Sequence, residues 1–282
     1  MRQIGNNEEL AQYIKWCSDH HKSVGFVPTM GALHPGHLSL VDIAANENDI
    51  VIVSIFVNPT QFNNAKDLEK YPRTLDKDAK LLTQTECNVI YTPSVSDVYP
   101  TSFIPRNADL GMLDTTLEGH YRPGHYVGVV SVVQRLFDLV QPQKAYFGRK
   151  DLQQVAVIKT MVKQFNYPIE IKVGETVREE SGLALSSRNS LLTTTEKKEA
   201  VAISELLFEM REWSKVLDPL ACETKAIKKF EETTMQLEYL SIIHPLTFEN
   251  LIDEWVPGAT VCIVAYCGEV RLIDNLELVP LT

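Results

Sequence analysis

Residues 50–57 read Ile-Val-Ile-Val-Ser-Ile-Phe-Val. The run is apolar but for Ser54 and mostly β-branched, so as a strand it has no face to give to water. At eight residues it is far short of a membrane span of about 20. A strand buried on both faces needs helices above and below it, which is the arrangement of a parallel sheet.

The flanking sequence supplies such helices. Val24–Pro28, Asn88–Thr92 and Lys144–Phe147 read as further strands. Gly36–Asn46, Thr74–Glu86, His125–Val140 and Asp151–Phe165 read as helices, with apolar residues at helical spacing. Sheets of this kind bind ligands at the carboxyl ends of their strands. The pattern changes near residue 176. Thr195–Trp213 and Pro219–Leu237 read as two helices. Tyr239–Ile243, Thr260–Tyr266 and Val270–Ile273 read as strands on short connections, which predicts an antiparallel sheet with helices packed on it. At 282 residues, with roughly 150 per domain, two domains are expected.

Charge and cysteine content narrow the functional classes. Lys and Arg number 27 against 37 Asp and Glu, a net charge of −10. A chain this acidic is not built as a general binder of nucleic acid or anionic membranes, because phosphate backbones demand clustered cations. It can still hold a small anion through a few concentrated donors. The five cysteines, Cys17, Cys87, Cys222, Cys262 and Cys267, form no CxxC pair. Free thiols in a reducing compartment are expected, with no zinc site. The polar start of the chain carries no apolar signal core, so a cytoplasmic protein is expected.

Four segments at strand ends can carry chemistry. Pro28-Thr-Met-Gly-Ala-Leu-His34-Pro35-Gly36-His37 runs from a strand into a helix. Its two imidazoles, three residues apart, share a face, and a helix N-terminus with free N–H groups favours phosphate. In Phe56-Val-Asn58-Pro-Thr-Gln61-Phe, Asn58 and Gln61 offer untitratable donors for carboxylate or hydroxyl groups. In Phe147-Gly148-Arg149-Lys150-Asp151-Leu-Gln-Gln154, Lys150 is a compact cation suited to phosphate, while Asp151 also reads as a helix cap. Leu185-Ser186-Ser187-Arg188-Asn189 reads either as a clamp for terminal phosphates or as a plain N-cap. GxGxxG, the Walker loop and GxSxG are absent.

PTMGALHPGH, SIFVNPTQF, YPRTLDKD, EGHYRPGH, FGRKDLQQ, GLALSSRN and RLIDN follow one another in the chain. Together, from about Gly25 to Leu278, they resemble the pantothenate synthetases, the pantoate–β-alanine ligases of the HxGH nucleotidyltransferase superfamily. The resemblance implies an α/β fold. A Rossmann-like parallel-sheet N-terminal domain (residues 1–176) would bind nucleotide and pantoate. A smaller α+β C-terminal domain (177–282) would act as a lid. The implied reaction joins pantoate to β-alanine through pantoyl adenylate, with ATP cleaved to AMP and pyrophosphate. Mg²⁺ would travel with ATP, chiefly on phosphate oxygens, and no protein metal ligand is expected. A homodimer is implied.

Residue roles carry over by motif. Met30, Gly31, Ala32, Leu33, His34, Pro35, Gly36 and His37 would line the ATP phosphates. His37 would be the proton-donating group, and His34 would assist it. Lys150 would neutralise charge on the α-phosphate. Gly148 and Asp151 would hold the ribose, Arg149 would lie beside the phosphates, and the Val177 backbone would meet the adenine. Leu185, Ser186, Ser187 and Arg188 would close over the β- and γ-phosphates. Gln61 and Gln154 would grip pantoate, and Gln61 would also place β-alanine. Val129, Val132 and Val133 would wall pantoate's methyl groups or simply pack the core. The chain departs from the family at Arg149, where Glu is usual, and at Leu185, where Met is common. Two other readings stand beside the ligase. One is a transferase of the same superfamily that releases its adenylylated product. The other is a non-catalytic nucleotide sensor.

Overall fold

The computed structural model describes residues 1–279; residues 280–282, the end of the expected second domain, lie outside the described residues. Two compact units divide the chain, Met1–Glu175 and Thr176–Thr282. In order, the elements of the first are β1 (Arg2–Ile4), α1 (Asn7–Asp19), β2 (Val24–Thr29), α2 (Pro35–Glu47), β3 (Ile50–Ile55), α3 (Ala65–Lys70), α4 (Leu75–Leu82), β4 (Val89–Tyr91), α5 (Val95–Val98), α6 (Leu117–Tyr121), α7 (His125–Val140), β5 (Lys144–Gly148), α8 (Leu152–Gln164) and β6 (Glu170–Gly174). The second holds α9 (Thr194–Trp213), α10 (Pro219–Phe230), β7 (Gln236–Ile243), β8 (Thr260–Cys267) and β9 (Val270–Glu277).

The first unit is an α/β structure on a parallel sheet ordered β1-β4-β3-β2-β5-β6. β3 is buried on both faces, as its composition requires. Ile50 and Ile52 pack into one core with residues of α1, α7 and α8. Val51 and Val53 pack into another with Leu40, Val41 and Ala44 of α2. Period-2 alternation splits one apolar run between two layers. From β2 the chain moves to β3 on one side and later returns to β5 on the other. The ends of β2 and β5 therefore bracket a topological switch point, where open α/β sheets bind ligands.

The second unit is a three-stranded antiparallel sheet, β7-β8-β9. Val261, Ile263, Ala265 and Cys267 of β8 share a core with Ile203, Leu207 and Met210 of α9 and with Cys222, Ala226 and Phe230 of α10.

Several elements differ from the sequence expectation. α10 stops at Phe230 instead of Leu237, because Gln236 and Leu237 pair with β8. α4 stops at Leu82, and the hydroxyls of Thr83 and Thr85 bond to preceding carbonyls, a local alternative to continuing the helix. The edge strand β6, whose Glu170 and Lys172 form an ion pair, is too polar to read as a strand. All five cysteines are free and buried. Among the described residues no helix is long and apolar enough to cross a membrane.

Candidate active site

The ends of β2, β3 and β5 are neighbours, and the three motif segments of the first unit leave from them. After β2 the chain takes two consecutive left-handed conformations, at Gly31 (φ 79°) and Ala32 (φ 51°). Glycine suits the first; the alanine is held there at a cost. The holder is Asp78 of α4, whose buried carboxylate accepts from the N–H groups of Ala32 (2.9 Å) and Leu33 (2.8 Å) and from Thr74 Oγ1 (3.1 Å). A Cβ on Gly31 would meet Asp78 Oδ2 and Ile55 Cγ2 at 3.0 Å each, so the loop is wedged between them.

This loop delivers His34 to the N-cap of α2. The Gly36 N–H donates to His34 Nδ1 (3.2 Å), and the His34 N–H donates to His37 Nδ1 (3.3 Å). The ring centroids lie 4.1 Å apart. The expectation of free N–H groups at this helix start is corrected here. Pro35 has none, and those of Gly36 and His37 are taken by His34 Nδ1 and the His34 carbonyl. What the turn presents instead is a pair of imidazole edges. Burial, then the Lys150 ammonium, lowers the His34 pKa to about 4. Burial, then His34 and Lys150, lowers that of His37 to about 3. Both rings are therefore neutral at pH 7, with Nδ1 accepting and Nε2–H free to donate.

Lys150, from beyond β5, thus acts on both histidines. It lies in the short 3-10 turn Arg149–Asp151 and has a 3.8 Å ion pair with Asp151. Asp151 holds the N-cap position of α8 but makes no capping hydrogen bond, so its carboxylate is not spent on the helix. Arg149 Nε donates to Glu175 (3.1 Å) across the ends of β5 and β6. Gly148 ends β5, and Gln154 sits half-buried in the first turn of α8.

Gln61 ends a 3-10 turn, Pro59–Gln61, capped by Asn58. Asn58 Nδ2 donates to Gln61 Oε1 (3.0 Å) and to the Gly128 carbonyl (3.2 Å). Its Oδ1 accepts from Thr60 Oγ1 (3.0 Å) and the Tyr99 hydroxyl (2.8 Å). The structure therefore separates two residues that the sequence reading treated alike. Asn58 is spent on the protein and orients Gln61, whose Nε2 hydrogens are left as donors. His125 Nδ1 donates to the Gln61 carbonyl at 2.8 Å. Burial, then Arg122, lowers its pKa to about 4. A Cβ on Gly128 would meet Thr60 O at 2.5 Å, so only glycine lets α7 lie this close to the turn. Val129, Val132 and Val133 of α7 are all buried in the core.

Asp78, His125 and Gln153 had no role in the sequence reading. Gln153 accepts from the Glu118 N–H and donates to the carbonyls of Leu113 and Thr116, tying α8 to α6. Asp78, Glu118 and His125 stand in the YPRTLDKD and EGHYRPGH segments, the one signal that could have marked them.

The remaining expected contacts lie in the second unit. The Leu185 N–H donates to the Val177 carbonyl at 3.0 Å, closing a hairpin. Ser186 Oγ accepts from the Arg188 N–H (3.3 Å) and caps the 3-10 turn Ser187–Leu191, whereas α9 has its own cap in Thr193 and Glu196. Among the described residues no group of three or more His, Cys, Asp or Glu side chains is placed to hold a metal ion.

The profile of the family described as pantoate-beta-alanine ligase matches residues 2–277. The pantothenate synthetase of Bacteroides thetaiotaomicron is 46% identical over 280 residues, 98% of this chain and 99% of that protein. The crystal structure of pantothenate synthetase from Thermus thermophilus superposes with a TM-score of 0.93 at 42% identity, covering 99% of this chain and all of the other. Pantoate-beta-alanine ligase from Francisella tularensis, solved in complex with beta-gamma ATP and beta-alanine, gives 0.84 at 37% identity over 99% of this chain and 98% of that one. With a family profile spanning nearly every residue and relatives matched along their whole length, this chain belongs to the pantoate–β-alanine ligase family.

Proposed function

We propose that this chain condenses (R)-pantoate with β-alanine to give pantothenate, through pantoyl adenylate, and releases AMP and pyrophosphate. The observation that carries this reading is the meeting of His34, His37 and Lys150 at the switch point of the sheet. A pantoate carboxylate oxygen attacks the α-phosphorus of ATP. The new O–P bond forms as the bond to the β-phosphate oxygen breaks, and pyrophosphate leaves. Negative charge grows on the phosphate oxygens, where two neutral Nε2–H donors and one ammonium, held in advance, stabilise it. The β-alanine amine then attacks the activated carbonyl and loses a proton, and the C–O bond to AMP breaks.

Gln61 and Gln154 hold pantoate in this reading, and Gln61 also places β-alanine. Met30 to His37, Gly148, Arg149, Lys150 and Asp151 serve the nucleotide. Val177 and Leu185 to Arg188 of the second unit meet adenine and the outer phosphates, which is the lid role. Mg²⁺ enters as part of the substrate MgATP, on phosphate oxygens and water. The five free, buried cysteines support a reducing, cytoplasmic setting. The family resemblance supports a homodimer.

The test is AMP release measured with and without each acceptor. AMP and amide form together, and only when both pantoate and β-alanine are present. Lys150→Ala and His37→Ala each lose about 10²–10³ in rate, the order for one preorganised donor. Undiminished turnover in both variants would contradict the assignment.

A further inference from the structure

The hairpin from Val177 to Leu185 has few bonds of its own. It is closed by Leu185 N–H to Val177 O, by Glu179 N–H to Leu183 O (2.8 Å) and by the Arg178–Ala184 bridge. Its turn ends at Gly182, which is left-handed at φ 93°. So small a hairpin is marginal in isolation, and its shape depends on what it is fastened to.

The fastening is Arg178. Its Nη1 donates to Asp274 Oδ2 (2.6 Å) and to the Gly182 carbonyl (3.1 Å). Its Nη2 donates to Asp274 Oδ1 (3.0 Å) and to the Asn275 carbonyl (3.4 Å). The guanidinium carbon also lies 5.4 Å from the Phe208 ring centroid of α9. Asp274 sits buried in β9, opposite Ile263 of the central strand, and its Oδ1 takes a further hydrogen bond from the Asn275 N–H (2.8 Å). One guanidinium thus joins the first arm of the hairpin, its tip, β9 and α9. A fork-to-fork pair fixes orientation as well as distance. Buried ion pairs are weak contributors to net stability, so holding a geometry is the better account of this one.

We propose that Arg178 and Asp274 are positioning residues for ATP: they set the hairpin whose two ends are Val177 and the Leu185–Arg188 segment, without touching the nucleotide. The proposal rests on the reading of the site given above.

The experiment is steady-state kinetics on the full chain with ATP, pantoate and β-alanine each varied. The variants are Asp274→Asn, which keeps shape but not charge, and Arg178→Lys, which keeps charge but not the fork. In Asp274→Asn the KM for ATP rises roughly tenfold to a hundredfold, the range for a lost hydrogen bond to a charged group. The KM values for pantoate and β-alanine move less than about twofold, since their contacts are intact. Arg178→Lys falls between. Backbone hydrogen exchange accelerates across residues 178–185 in both variants while α9 is unchanged. A merely structural role would lower the active fraction, and so the apparent kcat, with every KM unmoved. Should Asp274→Asn fail to fold, Arg178→Lys decides. An unchanged ATP KM in variants that turn over overturns the proposal and leaves the reading of the site intact. If the unaltered protein itself forms no AMP from ATP, pantoate and β-alanine together, that reading fails and the proposal falls with it.

Discussion

One turn sets the tautomers of both His34 and His37: each Nδ1 accepts a backbone N–H, His34 from Gly36 and His37 from His34. The arrangement leaves both protons on Nε2, and both rings neutral. A triphosphate brought against them reverses the balance, because negative charge favours the imidazolium. Nitrogen-15 NMR of the unliganded protein at pH 7 is expected to show two Nε2–H imidazoles titrating near pH 4 and pH 3, with both values rising when a non-hydrolysable ATP analogue binds. An imidazolium in the unliganded protein at pH 7 would contradict this.

The same shifts make stability depend on pH. The pKa values of His34, His37 and His125 are lowered in the fold, so between their folded values and 6.5 the unfolded chain binds more protons. Stability then rises with pH through this window and is lost on acidification. The free energy of unfolding, from denaturant titrations, is expected to fall between pH 6 and 5 by at least about 1 kcal/mol, one proton's worth. In a His34→Asn/His37→Asn variant the slope is shallower. An equal slope would show that the two rings contribute nothing to it.

Asp78 holds the left-handed stretch ahead of His34. Asp78→Asn replaces one acceptor oxygen by a donor and strands a buried N–H of Ala32 or Leu33, at a cost of about 1–3 kcal/mol. The histidines then lose their placement, and displacement by about 1 Å can cost roughly 10²-fold in rate. A fall in kcat of about tenfold or more is expected, with the pantoate KM little changed. Full kcat in a folded variant would remove Asp78 from the account.

Gly128 is the point where α7 meets the Gln61 turn. In Gly128→Ala the new methyl group must displace the Thr60–Gln61 backbone, a clash expected to destabilise by about 1–3 kcal/mol. Because Gln61 moves with that backbone, the pantoate KM rises as well. Thermal melts and pantoate saturation curves check both; a variant normal in each would mean the turn yields freely.

Much of this was legible in the residues. The burial of β3 on both faces follows from its composition, and α7 spans His125–Val140 as its sequence pattern predicts, with left-handed Gly124 before it and Gln141 after it. The clustering of His34, His37 and Lys150 follows from strand order once the segments are placed at strand ends. Long-range hydrogen bonds were not legible. Nothing local in YPRTLDKD says that Asp78 turns toward Ala32 and Leu33, or that Asn58 spends its amide on Gln61 and Gly128. Such bonds are decided by tertiary packing. Short or polar strands such as β1 and β6 carry too little alternation to be seen alone.

In the proposed reaction an acid is activated on ATP before the amine arrives. Exchange of labelled pyrophosphate into ATP, followed with pantoate present and β-alanine absent, tests it most directly. Exchange is expected to depend on pantoate and to be abolished in Lys150→Ala, with amide product and AMP formed when β-alanine is added. No exchange with pantoate, or a stable adenylylated product that persists in the presence of β-alanine, would contradict it.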